Sequence, residues 1–321
     1  MSAMLEASGL SYRYSGGRGI ADISFEADSG EVVCIFGWNG SGKTTLLKVL
    51  STLVSPQSGS FSVAGSTAPR DRESVRRKIF PVFDTNAHFS HLTGRENSRF
   101  FLSLYGVSDP EPLERIAAGF ELDLDRPAGE YSLGMKRKLL LAEAFSSGRD
   151  LLVFDEPALG LDTGMCSVFF GLAHEAAKTG SCVLIGTNRI EDAASADRIL
   201  FLDKGTLHPA ASVETLIAGM IRVTITLKDR ELTEYIPSID ELPQLVKRTL
   251  SFGIPVKIEI GETGSGDSLA WTPEAEEKIR RAPRALQNMI RSLVERYARD
   301  HGFLRITPDV VDEVKARFEK R

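Results

Sequence analysis

Gly37-Trp38-Asn39-Gly40-Ser41-Gly42-Lys43-Thr44-Thr45 decides the fold, because both of its flanks agree with it. Ahead of it, Val32-Val33-Cys34-Ile35-Phe36 is an unbroken apolar run with the length and β-branched content of a buried strand. Behind it, Leu46, Leu47, Val49 and Leu50 recur at helical spacing. Strand, glycine-rich loop and helix together make a phosphate cradle. Gly37, Gly40 and Gly42 let backbone N–H groups turn inward at the positive end of the helix dipole. Trp38, Asn39, Ser41 and Thr45 complete the cradle. Lys43 reaches the β- and γ-phosphates, and the Thr44 hydroxyl takes a place on Mg²⁺. The chain is expected to bind a nucleoside triphosphate.

A second apolar run, Leu151-Leu152-Val153-Phe154, ends in Asp155-Glu156-Pro157. An acid at the carboxyl end of a strand is placed to hold Mg²⁺, which suits Asp155. The next acid, Glu156, is placed to polarise an attacking water as general base. Upstream, Tyr131-Ser132-Leu133-Gly134-Met135 precedes a helical face of Leu139, Leu140, Ala142 and Phe145. A serine and a glycine at a helix start make an anion-binding N-terminus.

With these segments in the order Lys43, Ser132, Asp155, followed by Ala158-Leu159-Gly160-Leu161-Asp162, the chain resembles the ATP-binding subunit family of ABC transporters. Tyr-Ser-Leu-Gly-Met, where the family commonly has Leu-Ser-Gly-Gly-Gln, is similar to the ATPases of drug, sodium and polysaccharide exporters. The resemblance spans about residues 4 to 218. It implies an α/β P-loop NTPase fold with a helical insertion, and ATP and Mg²⁺ as ligands. It also implies head-to-tail pairing, as a homodimer or as a heterodimer with a second ATP-binding subunit. Ser132 and Gly134 would then contact the γ-phosphate held by the partner's loop, and Tyr14 matches the aromatic that stacks on adenine. A transmembrane permease is the further implied partner, with the ATPase energising export from the cytoplasmic face of the membrane. Two alternatives stay open: a soluble ABC-type ATPase acting as a nucleotide-gated clamp, and a hydrolysis-poor member of a heterodimeric pair.

Two positions depart from the family pattern. After Ile79-Phe80-Pro81-Val82-Phe83 the family carries a Mg²⁺-sensing glutamine, and here the residue is Asp84. A carboxylate binds Mg²⁺ better than an amide but adds negative charge beside Asp155 and the triphosphate. Counting back from Asp197-Arg198-Ile199-Leu200, the switch histidine falls at Thr187, with Asn188 next. Neither side chain carries a positive charge or a mobile proton at neutral pH. ATP binding is expected to survive both changes, and the hydrolysis rate is the property they touch. In the loop that follows, His88, Phe89 and His91 are expected to contact a partner, and Phe100, Phe101, Leu104 and Tyr105 to pack mostly as core.

The length of 321 residues allows more than one domain, and 42% hydrophobic with 26% charged residues is ordinary for a globular protein. A net charge of −5 speaks against a nucleic-acid-binding surface. Cys34, Cys166 and Cys182 sit in apolar surroundings without metal-ligand spacing and read as buried thiols of a reducing compartment. No basic, apolar leader and no run of about 18 apolar residues is legible, so a cytoplasmic location is expected, with membrane attachment through a partner. The ATPase domain is expected over 1–220, with its helical subdomain near 86–149. Alternation of Ile221, Val223 and Ile225, then of Val256, Ile258 and Ile260, around a helix from Leu242, predicts a strand–helix–strand accessory module over 221–262. A polar linker over 263–270 leads to a helical domain over 271–321, with a stripe of Leu286, Met289, Ile290, Leu293, Val294 and Tyr297. Trp271-Thr272-Pro273-Glu274-Ala275 and Glu295-Arg296-Tyr297-Ala298 make that domain resemble the C-terminal domain of light-independent protochlorophyllide reductase subunits. The absence of cysteine beyond Cys182 leaves it no thiolate ligands for a cluster, and a protein-docking role is expected.

Overall fold

Strands β1 (Ala3–Arg13) and β2 (Gly19–Asp28) pair antiparallel, and the apolar run ahead of the phosphate loop follows as β3 (Val32–Phe36), buried throughout. The structure is a computed structural model. It describes residues 3–84, 88–109, 111–210, 216, 221–228, 231–236, 242–250, 254–262, 270–280, 287, 290–291, 293–295, 297–298 and 305–319. The chain divides into two units, Met1–Val213 and Glu214–Arg321. In the first, α1 (Lys43–Leu50) leaves the loop, and β4 (Ser58–Val63), β5 (Ser66–Ala68), α2 (Arg72–Arg76) and β6 (Ile79–Val82) follow. Next come α3 (Gly94–Leu104), α4 (Glu111–Gly119), α5 (Leu133–Ser146), β7 (Leu151–Asp155), α6 (Thr163–Lys178) and β8 (Cys182–Thr187). The unit closes with α7 (Ile190–Ala194), β9 (Arg198–Asp203) and β10 (Thr206–Ala210).

The central sheet has the order β10-β9-β3-β8-β7-β6, with β9, β3, β8, β7 and β6 mutually parallel and β10 antiparallel on β9. Its middle strands are apolar without interruption because both faces are covered. Val33, Ile35, Val153 and Leu184 face one cluster, which includes α1 and the antiparallel sheet β2-β1-β4-β5. Val32, Leu152, Phe154, Val183 and Ile185 face the other, with residues of α4, α5 and α6. Successive side chains point to opposite faces, so a five-residue strand feeds both layers. Pro81 is tolerated in β6 because that strand is the sheet edge.

In the second unit, Ile221–Thr226 is the middle of a three-stranded antiparallel sheet, flanked by Glu231–Ile236 and Lys257–Glu262. Ile221, Val223 and Ile225 pack with Leu242 and Leu245 of the helix Leu242–Thr249. The strand Glu231–Ile236 is the addition to the expected strand–helix–strand order; its β-prone Leu232-Thr233 and Tyr235-Ile236 were the available signal. Further on, Ala270–Trp271 pairs parallel with Arg305–Ile306, and helices Pro273–Arg280 and Pro308–Glu319 contribute Ala275, Ile279, Val310 and Val311 to one core with Leu293 and Val294. Of the predicted stripe, Leu286 and Met289 lie outside the described residues, as does 263–269 of the linker.

Candidate functional site

The site sits at the carboxyl ends of β3, β8 and β7. Phe36 lies opposite Thr187 and Asp155 opposite Gly186, so three connecting loops leave one edge of the sheet together. The Gly37 N–H donates to the Thr187 carbonyl at 3.1 Å, and the Glu156 N–H donates to the Gly186 carbonyl at 2.8 Å. Any side chain at Gly37 would place its Cβ 2.4 Å from the Leu202 carbonyl oxygen, and Gly42 takes φ +111° to start α1. Asn39 and Gly40 are exposed at the tip of the loop, Ser41 and Thr45 are buried, and Trp38 packs edge-on against Phe36 at 5.4 Å. The Lys43 Nζ donates to the Gly37 carbonyl at 2.6 Å and lies 3.4 Å from Glu156 Oε1. Tyr14, in the turn from β1 to β2, is 42% exposed and meets Tyr12 edge-on at 4.9 Å, which leaves its ring open on one side.

The acids are held in an electrostatic state that favours a cation. Burial pushes the Asp155 carboxyl up, against the Thr44 hydrogen bond and the Lys43 charge. Burial likewise raises Glu156; Lys43 opposes it and Asp155 adds to it. The Thr44 hydroxyl donates to Asp155 Oδ2 at 2.8 Å, while buried Asp155 Oδ1 has no hydrogen-bond partner among the described residues. Such an orphaned oxygen beside a threonine hydroxyl fits Mg²⁺, which takes one or two protein oxygens and completes its shell with phosphate and water. Among the described residues no three His, Cys, Asp or Glu side chains converge as a metal cage. Asp84 is exposed after β6 and does not converge with Asp155 and Glu156 into such a cage; its charge acts on Arg137. Asp84 follows β6, the strand paired directly with β7, which ends in Asp155.

The structure corrects the expectation for Thr187. It is the last residue of β8 and fully buried, and its hydroxyl donates to Asp192 Oδ2 at 2.8 Å. The residue turned to the phosphate loop is Asn188, whose amide donates to Asn39 Oδ1 at 3.0 Å and whose backbone N–H bonds Glu156. Strand alternation sends one side chain inward and the next outward, and counting from Asp197 missed the register by one. His88 is a second correction. It is not a surface contact but lies buried, 3.0 Å from Glu143 Oε1, which also accepts from Ser98 at 2.9 Å. Phe100 and Leu104, expected in the core, are exposed together with Phe89. Ser132 is the N-cap of α5 and accepts from the Met135 N–H at 3.2 Å. A Cβ on Gly134 would lie 3.3 Å from the Gly160 carbonyl oxygen, so the start of α5 and the turn after β7 are close neighbours.

The ABC transporter family matches residues 20–159, a span that runs from β2 through the loop, α5 and β7. The Nod factor export ATP-binding protein I of Burkholderia thailandensis is 32% identical over 216 residues, covering 65% of this chain and 71% of that one. The chain belongs to the ABC transporter ATP-binding family. The ABC transporter ATP-binding protein NatA of Bacillus subtilis is 28% identical over 206 residues, 62% of this chain and 84% of that one. The doxorubicin resistance ATP-binding protein DrrA of Mycobacterium tuberculosis is 33% identical over 207 residues, which is 62% of each chain. A solved ATP-binding subunit of an ABC transporter superposes with a TM-score of 0.60 at 28% identity, over 64% of this chain and 90% of that one. Residues 271–315 match the family described as Proto-chlorophyllide reductase 57 kD subunit. The protein is therefore an ABC ATPase, with an ATP site, joined to a further C-terminal unit.

Sequence reasoning missed one residue of this ABC ATPase altogether. Arg137 lies in α5 and is buried, yet its guanidinium donates to the backbone carbonyls of Phe83 at 3.2 Å, Asp155 at 2.6 Å and Glu156 at 2.7 Å. In sequence it reads as one more cation in Lys136-Arg137-Lys138. Only its position on the inner side of the helix, among Leu139, Leu141 and Ala142, distinguishes it.

Proposed function

We propose that the chain binds ATP with Mg²⁺ and hydrolyses it to energise export through a separate transmembrane permease, as a peripheral subunit on the cytoplasmic face of the membrane. The observation that carries this reading is the convergence of Lys43, Thr44, Asp155 and Glu156 at one sheet edge. The printed names of the doxorubicin resistance and Nod factor export relatives support export. Among the described residues no helix is long and apolar enough to cross a membrane, which leaves the conduit to another chain. Exposed Phe89, Phe100 and Leu104 on and beside α3 supply apolar surface for that permease. The proposed division of the chain is an ATPase domain to about residue 220, an accessory module over 221–262 and a helical domain from 271.

In this reading Lys43 and the loop amides bind the β- and γ-phosphates, and Tyr14 stacks on the base. Thr44 and Asp155 hold Mg²⁺, which neutralises phosphate charge when bound. Glu156 accepts the proton of the attacking water; burial keeps its carboxyl basic enough for that role. Ser132 and Gly134 serve the nucleotide of a second ATP-binding chain, identical or not. Asn188, in the place of an imidazole, donates a neutral hydrogen bond only, which favours slow turnover and leaves room for a faster partner subunit. Lys43→Ala is expected to abolish ATP binding, since no other residue of the loop carries a positive charge. Equilibrium titration with a fluorescent ATP analogue checks it, and unchanged affinity would remove the loop from the site.

A further inference from the structure

Arg137 joins three parts of the site that are far apart in sequence. Its helix starts at the N-cap Ser132, and its guanidinium reaches the carboxyl ends of β6 and β7 through the Phe83, Asp155 and Glu156 carbonyls. Those carbonyls immediately precede or belong to Asp84 and Glu156. A buried guanidinium is costly unless its donors are used; here the two terminal nitrogens are committed to three carbonyl oxygens, while buried Nε has no partner among the described residues. Burial pulls the Arg137 pKa down, and the nearby Asp84, Asp155 and Glu156 charges oppose that shift. The Glu156 backbone also sits in the left-handed region at φ +49°, where a residue with a Cβ is strained unless its surroundings hold it. Its N–H is held by the Gly186 carbonyl at 2.8 Å and its C=O by Arg137 at 2.7 Å.

We propose that Arg137 is a positioning residue for hydrolysis: it sets the direction in which the Glu156 carboxylate faces the attacking water, and ties that direction to the helix begun by Ser132. The inference rests on the ATPase reading above and adds a residue that touches neither nucleotide nor metal. A planar fork is needed because the three carbonyls come from two strand ends, and an ammonium cannot span them with the same geometry. Misaiming a general base by about 1 Å costs on the order of 10²-fold in rate without touching ground-state contacts.

The test compares full-length wild type, Arg137→Lys and Arg137→Met, with kcat normalised to the stoichiometry of ATP bound. Arg137→Lys keeps the charge and guards against a methionine variant that does not fold. Relative to wild type, kcat is expected to fall about 10-fold in the lysine variant and about 10²-fold in the methionine variant, with KM and ATP-analogue affinity within about 3-fold. In a Glu156→Gln background the lysine change should cost no further rate, because the group it aims is gone. A lysine variant with wild-type kcat, a loss carried entirely by KM, or a full additive loss in the Glu156→Gln background would each overturn the proposal. A wild-type chain that binds no ATP would instead overturn the reading of the whole site.

Discussion

Single side chains decide what this ATPase does once its phosphates are bound. The pair Thr187 and Asn188 shows how fine the distinction is. Thr187 is spent inside the core on Asp192, while Asn188 faces Asn39 of the loop. A histidine at 188 would add a cationic, proton-carrying donor at the outward position. Loss of one such donor in other enzymes costs roughly 10² to 10³ in rate. Asn188→His is therefore expected to raise kcat by up to about 10²-fold, with ATP affinity changed only a few-fold. Thr187→His should not, because it forces an imidazole into the site of a fully buried threonine. Steady-state ATPase assays on both variants check this; acceleration by Thr187→His alone would reverse the assignment.

At the scale of elements, β7 carries five buried residues into a site where its last one and the acid after it are desolvated. Both carboxyls are raised above their ordinary values, first by burial. A carboxyl raised in the folded chain favours folding while protonated, and that contribution is lost as pH climbs from the ordinary carboxylate value, about 4.3 for glutamate, through the raised one. Measured without nucleotide, Glu156→Gln should therefore melt above wild type at pH 8. The difference should narrow as pH falls to 5. Differential scanning calorimetry across that range checks it, and a gap that widens toward acid would contradict the desolvated environment.

At the scale of the whole molecule, the start of α5 stands open to solvent. Ser132 caps α5 at the surface, and Leu133 and Leu159 beside it are 86% and 63% exposed. The pairing proposed above would give these residues a nucleotide to contact. Glu156→Gln, which retains ATP, is expected to sediment as a dimer with ATP and as a monomer without it. Analytical ultracentrifugation decides; a variant that stays monomeric at saturating ATP would leave pairing with a different ATP-binding chain.

The local pattern around the phosphate loop was legible in the sequence. The loop from Gly37 to Thr45, the strands around it, and the acids Asp155 and Glu156 follow from apolar runs, glycine spacing and helical periodicity, which are properties of neighbouring residues. What required tertiary structure was direction. One residue of register separates buried Thr187 from Asn188, and His88 turns inward to Glu143. Arg137 is the clearest case: its partners are backbone carbonyls at positions 83, 155 and 156, and a carbonyl leaves no trace in residue identity. Sequence patterns report which face is apolar, whereas only the folded sheet brings the ends of β3, β8 and β7 to one place and selects the side chains that meet there.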